Sequence, residues 1–392
     1  MKNTYIIIAA IVVIVIIIGG VFAYIYISAP AKKSTSTLAA ATVNGAGGTL
    51  VYPLMTVWQG AYGSAEPQIT VNYNPVGSGT GITDFTKQLE DFGESDAPMT
   101  AVQYAALPSG TTALTIPISA SAVVPAYNLK LANGTVAQDG LKFTGAVLAD
   151  IFLGTITKWN DPKIVALNPG IPLPDTLITT VHRSDGSGTM FAFSDFLSDA
   201  STQFNTTIGK STTPNWVSTS GGTIAAPKNA GVAAAIAGNN GAIGPLEIAY
   251  ILENTGQSSL YYGSVQNAAG NFILANVSNI AAALQAGAST GLPAGSASWT
   301  TVSIVDNIFT NASATNVYPI ATLTYMLIYQ NQSAVPNTSA AQATALVNFA
   351  SWIVNSGQSL GSGLGYVPLP ANIVAVDNTT IDSITYNGTP IL

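Results

Sequence analysis

Hydrophobic and polar positions alternate along this chain in short blocks that suit either a strand or a helix. Apolar side chains recur at every second residue from Ile69 to Tyr73, which is typical of one face of a strand. Met190, Phe193 and Leu197 recur at helical spacing instead. Such blocks follow one another with no repeat of about 20–50 residues, which excludes a solenoid. The pattern therefore predicts an α/β fold class.

A different block opens the chain. Tyr5–Ile27 is an uncharged apolar run of 23 residues, and about 20 such residues suffice to cross a bilayer. We predict that residues 1–31 form one N-terminal transmembrane helix that anchors the protein, and that residues 32–42 form a polar tether. A cleaved signal peptide is the alternative, because Ala29–Ala31 resembles a small-residue cleavage site, although Pro30 makes it a poor one.

The body of the chain carries eight Asn-x-Ser/Thr triplets, the acceptor pattern for N-glycosylation. They begin at Asn133, Asn205, Asn276, Asn311, Asn331, Asn337, Asn378 and Asn387. Such triplets also arise by chance in a chain rich in these residues. Together with the apolar N-terminal run and the lack of cysteine, they favour an extracytoplasmic location on the cell membrane. Glycosylation at these triplets would then make the protein a glycoprotein.

Composition narrows the function classes. Only 7% of residues are charged, against an ordinary fraction of about 25%. The net charge of −7 argues against a nucleic-acid partner. The chain has no cysteine and one histidine, so disulfides, thiolate metal sites and multi-histidine zinc sites are excluded. A surface so poor in charge suits an acidic medium, and compositional bias of the lineage is the alternative.

Three glycine-rich loops each follow a strand-like run or precede a helix-like one. They are Gly45–Leu50, Gly77–Gly81 and Arg183–Thr189. The N-terminus of a helix offers unpaired N–H groups and partial positive charge, so such loops are natural anion sites. Glycine lets the backbone approach a ligand, and hydroxyl side chains add donors. No loop matches the phosphate-binding patterns of nucleotide sites, so nucleotide binding is disfavoured.

Arg183 is the only arginine in 392 residues, and it lies in the third loop. Its planar fork of donors suits bidentate contact with a tetrahedral oxyanion. Asp185 is close enough in sequence to orient the guanidinium. His182, the only histidine, has no second histidine or cysteine to act with, and we expect it to take no part in chemistry.

The segment Asp91–Pro98 adds a carboxylate to this set. A carboxylate beside an anion is repulsive unless the anion carries a proton that it can donate. Phosphate has such a proton and fully ionised sulfate has none, so Asp96 could favour phosphate. The alternative is that Asp96 only shapes a turn before Pro98.

Taken together, these motifs resemble those of a known family, the substrate-binding protein of the phosphate-specific ABC transporter. The resemblance covers about Thr42 to Pro370 and rests on an ordered series of motifs. These are Gly45–Thr49, Val71–Ser78, Asp91–Pro98, Ile151–Asp161, Arg183–Thr189 and Gly241–Tyr250. The resemblance implies a two-lobed type II periplasmic binding protein fold with a hinge, in which phosphate lies in the cleft without metal or cofactor.

Carried over by position, the resemblance also implies the phosphate contacts. They are Thr49, Leu50 through its backbone amide, Ser78, Asp96, Arg183, Ser187, Gly188 and Thr189, with Asp185 supporting Arg183. Two positions depart from the family. Leu50 stands where an aromatic residue is usual, and Glu94 stands where a small residue is usual, which puts the electrostatics near Asp96 in question.

The lobes are expected to be discontinuous in sequence. We predict lobe I from residues 43–120 and 320–392 and lobe II from residues 121–319. A helix predicted at Ala341–Val354 then belongs to lobe I. No element is predicted after Pro370.

The resemblance implies a non-enzymatic protein that delivers inorganic phosphate to the permease subunits of an ABC transporter, and the apolar N-terminal run would anchor it in the membrane. Its partners would be inorganic phosphate, those permease subunits and the lipid bilayer through Tyr5–Ile27. Three alternatives stay open. The protein could bind another oxyanion such as sulfate, it could be a phosphatase, although no base for Ser187 is evident, or it could be a surface-layer or adhesion glycoprotein.

Overall fold

The computed structural model describes residues 38–253, 259–289, 291–311 and 315–392. The predicted anchor and most of the predicted tether lie outside these residues. Across the described ranges, no helix combines the length and apolar character that a bilayer crossing requires. The first strand begins at Ala41, so the predicted tether is too long by its last two residues.

The strands form one large sheet and two small ones. Their bounds are Ala41–Gly47 (β1), Ile69–Pro75 (β2), Phe92–Ser95 (β3), Ala113–Asn128 (β4), Lys142–Phe143 (β5), Thr179–Arg183 (β6), Thr223–Ala226 (β7), Ala242–Glu247 (β8), Tyr261–Tyr262 (β9), Ser264–Gln266 (β10), Phe272–Ile273 (β11), Ala321–Tyr329 (β12), Thr385–Tyr386 (β13) and Thr389–Pro390 (β14). The large sheet has the order β2-β1-β3-β12-β4-β8-β6-β7, and β9 also pairs with β4. Parallel and antiparallel pairs both occur, as in a mixed α/β fold.

Strand β4 joins the two halves of this sheet. All 16 of its residues are buried, as expected for a strand covered on both faces. Its first part, Ala113–Ala122, pairs with β12, and its last part, Val123–Asn128, pairs with β8. We refer to β2, β1, β3 and β12 as the first half of the sheet, and to β8, β6, β7 and β9 as the second half.

Helices cover the sheet. Their bounds are Tyr52–Ala65 (α1), Ser78–Thr86 (α2), Ala101–Ala105 (α3), Gly145–Phe152 (α4), Pro162–Leu167 (α5), Gly188–Ala200 (α6), Thr202–Thr207 (α7), Lys228–Ala237 (α8), Ile248–Leu252 (α9), Val277–Gly287 (α10), Ile304–Phe309 (α11), Ala340–Trp352 (α12) and Ala371–Asp382 (α13). Helix α1 has a proline in its first turn, where the missing N–H costs nothing. Helix α6 is capped by Ser187, whose Oγ accepts from the Met190 amide at 3.3 Å.

Several boundaries differ from the sequence prediction. Helix α2 ends at Thr86, and Gln88 adopts a positive φ of 55°. Leu89, which continues the helical spacing of Ile82 and Phe85 in the sequence, is therefore outside the helix and 65% exposed. Helix α12 ends at Trp352, and a π-helical turn continues to Gly357. The chain after Pro370 is ordered as helix α13 and the β13–β14 hairpin, which the sequence did not predict.

Residues 294–300 pack against the first half of the sheet. The Gly295 carbonyl accepts from the Thr115 amide at 2.9 Å on β4. The Thr300 hydroxyl donates to the Met99 carbonyl at 3.2 Å, and the Trp299 ring packs edge-on against Tyr325 of β12. Part of the stretch predicted for lobe II thus lies on elements predicted for lobe I.

Candidate anion-binding site

Three strand-to-helix loops converge where the two halves of the sheet meet. They connect β1 to α1, β2 to α2 and β6 to α6, so three helix N-termini lie at one place. Thr49, Ser78 and Arg183, one residue from each connection, are 2%, 0% and 4% exposed. Polar side chains this deeply buried require partners, and each finds them in another loop.

Arg183, the last residue of β6, holds the loops together. Its Nε donates to Asp185 Oδ1 at 2.8 Å, and its Nη2 donates to Asp185 Oδ2. Its Nη1 donates to Thr49 Oγ1 at 2.9 Å and to Asn229 Oδ1 at 3.1 Å. These contacts use four of the five guanidinium donors. The predicted support of Arg183 by Asp185 is present in the structure.

Asp185 is fixed in turn by the backbone. Its Oδ1 also accepts from the Lys228 amide at 2.9 Å. Burial alone would raise the pKa of Asp185, but the hydrogen bonds and the charge of Arg183 hold it below its ordinary value. An ionised Asp185 fixes the orientation of the guanidinium.

Ser78 links the second loop to Asp96, just after β3, and to the start of helix α6. Its Oγ lies 3.2 Å from Asp96 Oδ2 and accepts from the Asp96 amide at 3.2 Å. It also accepts from the Gly188 amide at 3.1 Å, at the start of helix α6. A Cβ on Gly188 would lie 2.3 Å from the Cβ of Asp96. Glycine at 188 is therefore what permits β3 and α6 to meet.

The remaining predicted contact residues surround this centre. Ser187 and Thr189 are buried, and the Thr189 hydroxyl donates to Asn229 Oδ1 at 3.3 Å. Leu50 is fully buried, and its carbonyl accepts from the Tyr366 hydroxyl. The structure thus brings all eight predicted contact residues and Asp185 into one cluster, although their role as ligands stays a prediction.

Two buried carboxyl groups lie side by side beneath the loops. Asp96 is 2% exposed and Glu94 is fully buried, and one oxygen of each faces Gly48 in the first loop. Burial raises the pKa of Asp96 to about 6, although hydrogen bonds from Thr324, Glu94 and Ser78 and the charge of Arg183 oppose the shift. Burial, and then the charge of Asp96, raise the pKa of Glu94 well above its ordinary value.

Sequence reasoning missed Asn229. It is fully buried at the start of helix α8. Its side-chain Oδ1 accepts from both Arg183 and Thr189, and its backbone amide donates to Thr49 Oγ1 at 3.3 Å. The available signal was a fourth small-residue turn between a strand and a helix, from Pro227 to Gly231.

Two buried polar atoms in the cluster have no hydrogen-bond partner within the described part of the chain. They are the carboxylate oxygen Oδ1 of Asp96 and the amide nitrogen Nδ2 of Asn229. One is an acceptor and the other a donor. Together with the N-terminus of α6 and the guanidinium, they make a site suited to an anion that can also donate a hydrogen bond.

His182 lies apart from this chemistry. Its ring stacks on Trp216 with centroids 5.6 Å apart, and its Nδ1 lies 2.9 Å from the Arg183 carbonyl oxygen. Burial lowers the pKa of His182. A neutral imidazole packed on an indole agrees with the expectation that this residue does no chemistry.

Asp195, Asp199 and Asp306 are the described residues whose grouping most resembles a cation site. Lys210 Nζ pairs with Asp195 at 2.9 Å and with Asp306 at 3.4 Å. The ammonium group supplies the compensating positive charge itself, so this cluster is explained without a metal.

Comparison with known proteins places this chain in a family. A sequence profile of the PBP superfamily domain matches residues 32–356. The phosphate-binding protein PstS of Xylella fastidiosa is 36% identical over 332 residues, covering 85% of this chain and 82% of its own. That of Pasteurella multocida is 34% identical over 338 residues, covering 86% and 89%. That of Methanocaldococcus jannaschii is 31% identical over 333 residues, covering 83% and 82%.

The chain belongs to the PstS family of phosphate-binding proteins. The recognition made from the sequence motifs is thereby confirmed.

Solved structures agree with the fold of this family. The ancestral soluble variant of the human phosphate binding protein superposes with a TM-score of 0.65 at 20% identity, covering 89% of this chain and 99% of its own. A high-affinity periplasmic phosphate-binding protein bound with phosphate, PfluDING, gives a TM-score of 0.61 at 19% identity, covering 89% and 99%. The PstS-family chain described here therefore has the predicted α/β, two-lobed periplasmic binding protein fold.

Proposed function

We propose that the protein is an extracytoplasmic phosphate-binding protein that delivers inorganic phosphate to an ABC transporter permease. The observation that carries this proposal is the pairing of the sole arginine with a buried acceptor. Arg183 and the α6 N-terminus supply positive charge, while the unpartnered Asp96 Oδ1 supplies an acceptor. Names of the relatives as phosphate-binding proteins support a binder rather than a phosphatase.

Phosphate satisfies both sides of this arrangement. Its unprotonated oxygens accept from Arg183, from the hydroxyls of Thr49, Ser187 and Thr189, and from backbone amides including that of Leu50. Its protonated oxygen donates to Asp96. Sulfate near neutral pH has no proton to offer, so its oxygen and the Asp96 carboxylate would be opposed acceptors.

The two predicted lobes would close over the ligand. Contacts between the halves of the sheet already run through the site, since Arg183 bonds Thr49 and the Gly188 amide bonds Ser78. The proposed lobe boundary at residues 120–121 falls within β4, and the one at residues 319–320 lies just before β12. Strands that pass between the lobes at these positions would suit a hinge. Small-angle scattering with and without phosphate tests closure, and an identical profile at saturation would count against it.

The N-terminal segment carries a separate part of the proposal. The apolar run Tyr5–Ile27 would hold the protein on the outer face of the membrane, where it meets the permease and the bilayer, and the eight sequons would be open to glycosylation. Sequencing the N-terminus of the mature native protein tests this part. A start near Lys32 would show a cleaved signal peptide instead.

Calorimetric titration with phosphate and with sulfate tests the ligand. We expect saturable phosphate binding and at least tenfold weaker sulfate binding near neutral pH. Equal or stronger sulfate binding would favour the alternative oxyanion. Release of phosphate from a monoester such as p-nitrophenyl phosphate would favour a phosphatase, and binding of neither anion would leave the surface-layer alternative.

A further inference from the structure

Glu94 is buried beside the anion site without a compensating cation. It lies on β3, two residues before Asp96, which directly follows the last residue of that strand. Glu94 is fully buried, and no ion pair among the described residues includes it. A buried carboxyl group in this position is expected either to be neutral or to be strongly hydrogen-bonded.

Counting protons around Tyr73 distinguishes these cases. The Tyr73 hydroxyl oxygen lies 2.8 Å from the Gly48 carbonyl oxygen and 2.8 Å from Glu94 Oε2. A phenol has one proton, and burial keeps it in place by raising the pKa of Tyr73 well above its ordinary value. The Gly48 carbonyl and an ionised Glu94 could both only accept, so one of these two contacts would contain no proton. A proton on Glu94 supplies the missing donor and satisfies both contacts.

The contact between the two carboxyl groups leads to the same result. The position of a Cβ on Gly48 would lie 2.7 Å from Glu94 Oε2 and 2.6 Å from Asp96 Oδ2, so both oxygens face the first loop at one point. Two ionised carboxylates that face one point repel each other, and a proton on Glu94 removes one of the two charges.

The surroundings decide which carboxyl group keeps the proton. Asp96 accepts from Ser78 and feels the charge of Arg183, which both favour its ionised form. Glu94 contacts Tyr73, Thr324 and Asp96, none of which is a cation. The other titratable groups that feel the charge of Asp96 are Tyr250, Tyr325, Tyr366 and Glu247.

We propose that Glu94 is a specificity-determining residue that holds one proton beside Asp96 and keeps the pair at a single negative charge. Asp96 then stays an ionised acceptor for a protonated oxyanion, and the site avoids a second negative charge that would repel the ligand. This inference rests on the proposed function, because it specifies how the same site chooses its ligand.

One consequence is that phosphate binding should depend on pH through the ionisation of Glu94. When alkaline conditions remove its proton, the site gains a negative charge and binding of inorganic phosphate weakens. Glu94→Gln keeps the shape and a donor but cannot ionise. The ratio of the wild-type Kd to the Glu94→Gln Kd should therefore rise about tenfold or more from neutral to alkaline pH. Phosphate's own ionisation cancels in this ratio.

The test is calorimetric titration of the full chain in mild detergent with inorganic phosphate across this pH range. Glu90→Gln is the matched control, because Glu90 precedes β3 by only two residues and lies partly exposed outside the cluster. Its Kd should follow the wild type at every pH. Parallel profiles for wild type and Glu94→Gln would overturn the inference.

A direct measurement on the wild type covers the case in which the variant does not fold. The chain has five glutamates, Glu66, Glu90, Glu94, Glu247 and Glu253, so carboxyl ¹³C labelling gives few signals. We expect the Glu94 signal of the ligand-free protein at the protonated position at pH 7, and an ionised signal would overturn the inference. If phosphate does not bind at all, the proposed function fails, and this signal still shows whether Glu94 holds the proton.

Discussion

Arg183 connects groups that lie far apart in the sequence. Its side chain is 1% exposed and donates to Thr49, Asp185 and Asn229. Losing it removes the one guanidinium and leaves Asp185 half-buried without its cation. Because these contacts meet at the proposed ligand site, we expect the loss to affect binding far more than the global fold.

Arg183→Ala is predicted to abolish high-affinity phosphate binding. Removing one partner of a buried charge pair costs roughly 2–5 kcal/mol, or about 30-fold to several thousand-fold in Kd. Arg183→Lys should also weaken binding, because a lysine ammonium cannot make the bidentate contact with Asp185 that orients the side chain. Calorimetry measures both variants, with Lys87→Ala as a control that removes an exposed positive charge. Near-normal titration of the alanine variant would contradict the proposed site.

Asp96→Asn is predicted to improve sulfate binding relative to phosphate binding. An asparagine amide can donate where the carboxylate only accepts, so the opposition with an unprotonated sulfate oxygen disappears. Competitive binding of the two anions near pH 7.5, above the pKa of about 6 for Asp96, gives the ratio. A ratio equal to the wild-type value would show that Asp96 only shapes the turn before Pro98.

Residue-scale prediction from the sequence worked where a residue type is rare. Arg183 stood out because it is the only arginine in the chain. Asn229 contributes to the same network, yet asparagine is common here and its site is formed by contacts with residues 49, 183 and 189. The small-residue turn at Pro227–Gly231 marks the segment, but the contacts that distinguish Asn229 within it form only in the folded chain.

At the scale of elements, glycines set how closely the loops approach. Gly188 opens helix α6 in a conformation that other residues can adopt, but its Cβ would lie 2.3 Å from the Cβ of Asp96. Gly77 differs, because it has a positive φ of 96° and a Cβ there would lie 2.5 Å from Asp185 Oδ2. Both positions lie where the second loop and α6 meet.

Gly188→Ala is predicted to weaken phosphate binding by about tenfold or more, because the added methyl group separates α6 from β3 by enough to misplace donors. The stability of the ligand-free protein should change little if the halves can move apart. Gly60→Ala is the matched control, since a Cβ there meets nothing within 4 Å. In helix α1 it should leave binding unchanged and add about 0.5–1 kcal/mol of stability. Unaltered phosphate affinity in Gly188→Ala would argue against close approach as a requirement.

Periodicity predicted the existence of the elements better than their ends. The strand at residues 69–75 and the helix carrying Met190, Phe193 and Leu197 are present. The apolar positions of the helix and Ile69 are buried, and the other apolar strand positions are partly buried. Leu89 has the spacing of a helix residue but lies outside α2, because backbone geometry at Gln88, rather than hydrophobic spacing, ends the helix. Helix α13 was missed because its apolar face is short, with Ile373 and Ile381 as its fully buried aliphatic residues.

At the scale of the molecule, the sequence predicted the α/β class and the two-lobed fold because ordered motifs resemble a family of known architecture. It could not show how residues 294–300 return to pack on Met99 and Thr115, since that path depends on tertiary contacts. The exact lobe boundaries stay a prediction, and the segment Tyr5–Ile27 lies outside the described residues.

Five carboxyl groups among the described residues are buried, and this affects the stability of the protein as a function of pH. Burial raises the pKa of Glu94, Glu247 and Asp377 above their ordinary values, and it raises those of Asp96 and Asp195 to about 6. Between the ordinary and the raised pKa, the folded state binds more protons than the unfolded state. The free energy of unfolding therefore falls as pH rises through this interval. His182, whose pKa is lowered, opposes the trend.

The ligand-free protein is accordingly predicted to be more stable near pH 5 than near pH 8. Each additional proton bound by the folded state contributes about 1.4 kcal/mol per pH unit.

Asp377 isolates one such proton, because it is 1% exposed in helix α13 and its Oδ2 has no partner among the described residues. Asp377→Asn should make the slope of unfolding free energy against pH less negative by up to about this amount. Asp382→Asn, an exposed change at the end of the same helix, should not alter it. Denaturant titrations of the three proteins at several pH values measure the slopes. A slope for Asp377→Asn equal to that of the wild type would mean that Asp377 is ionised in the folded protein, and stability that rises from pH 5 to pH 8 would contradict the prediction for the whole molecule.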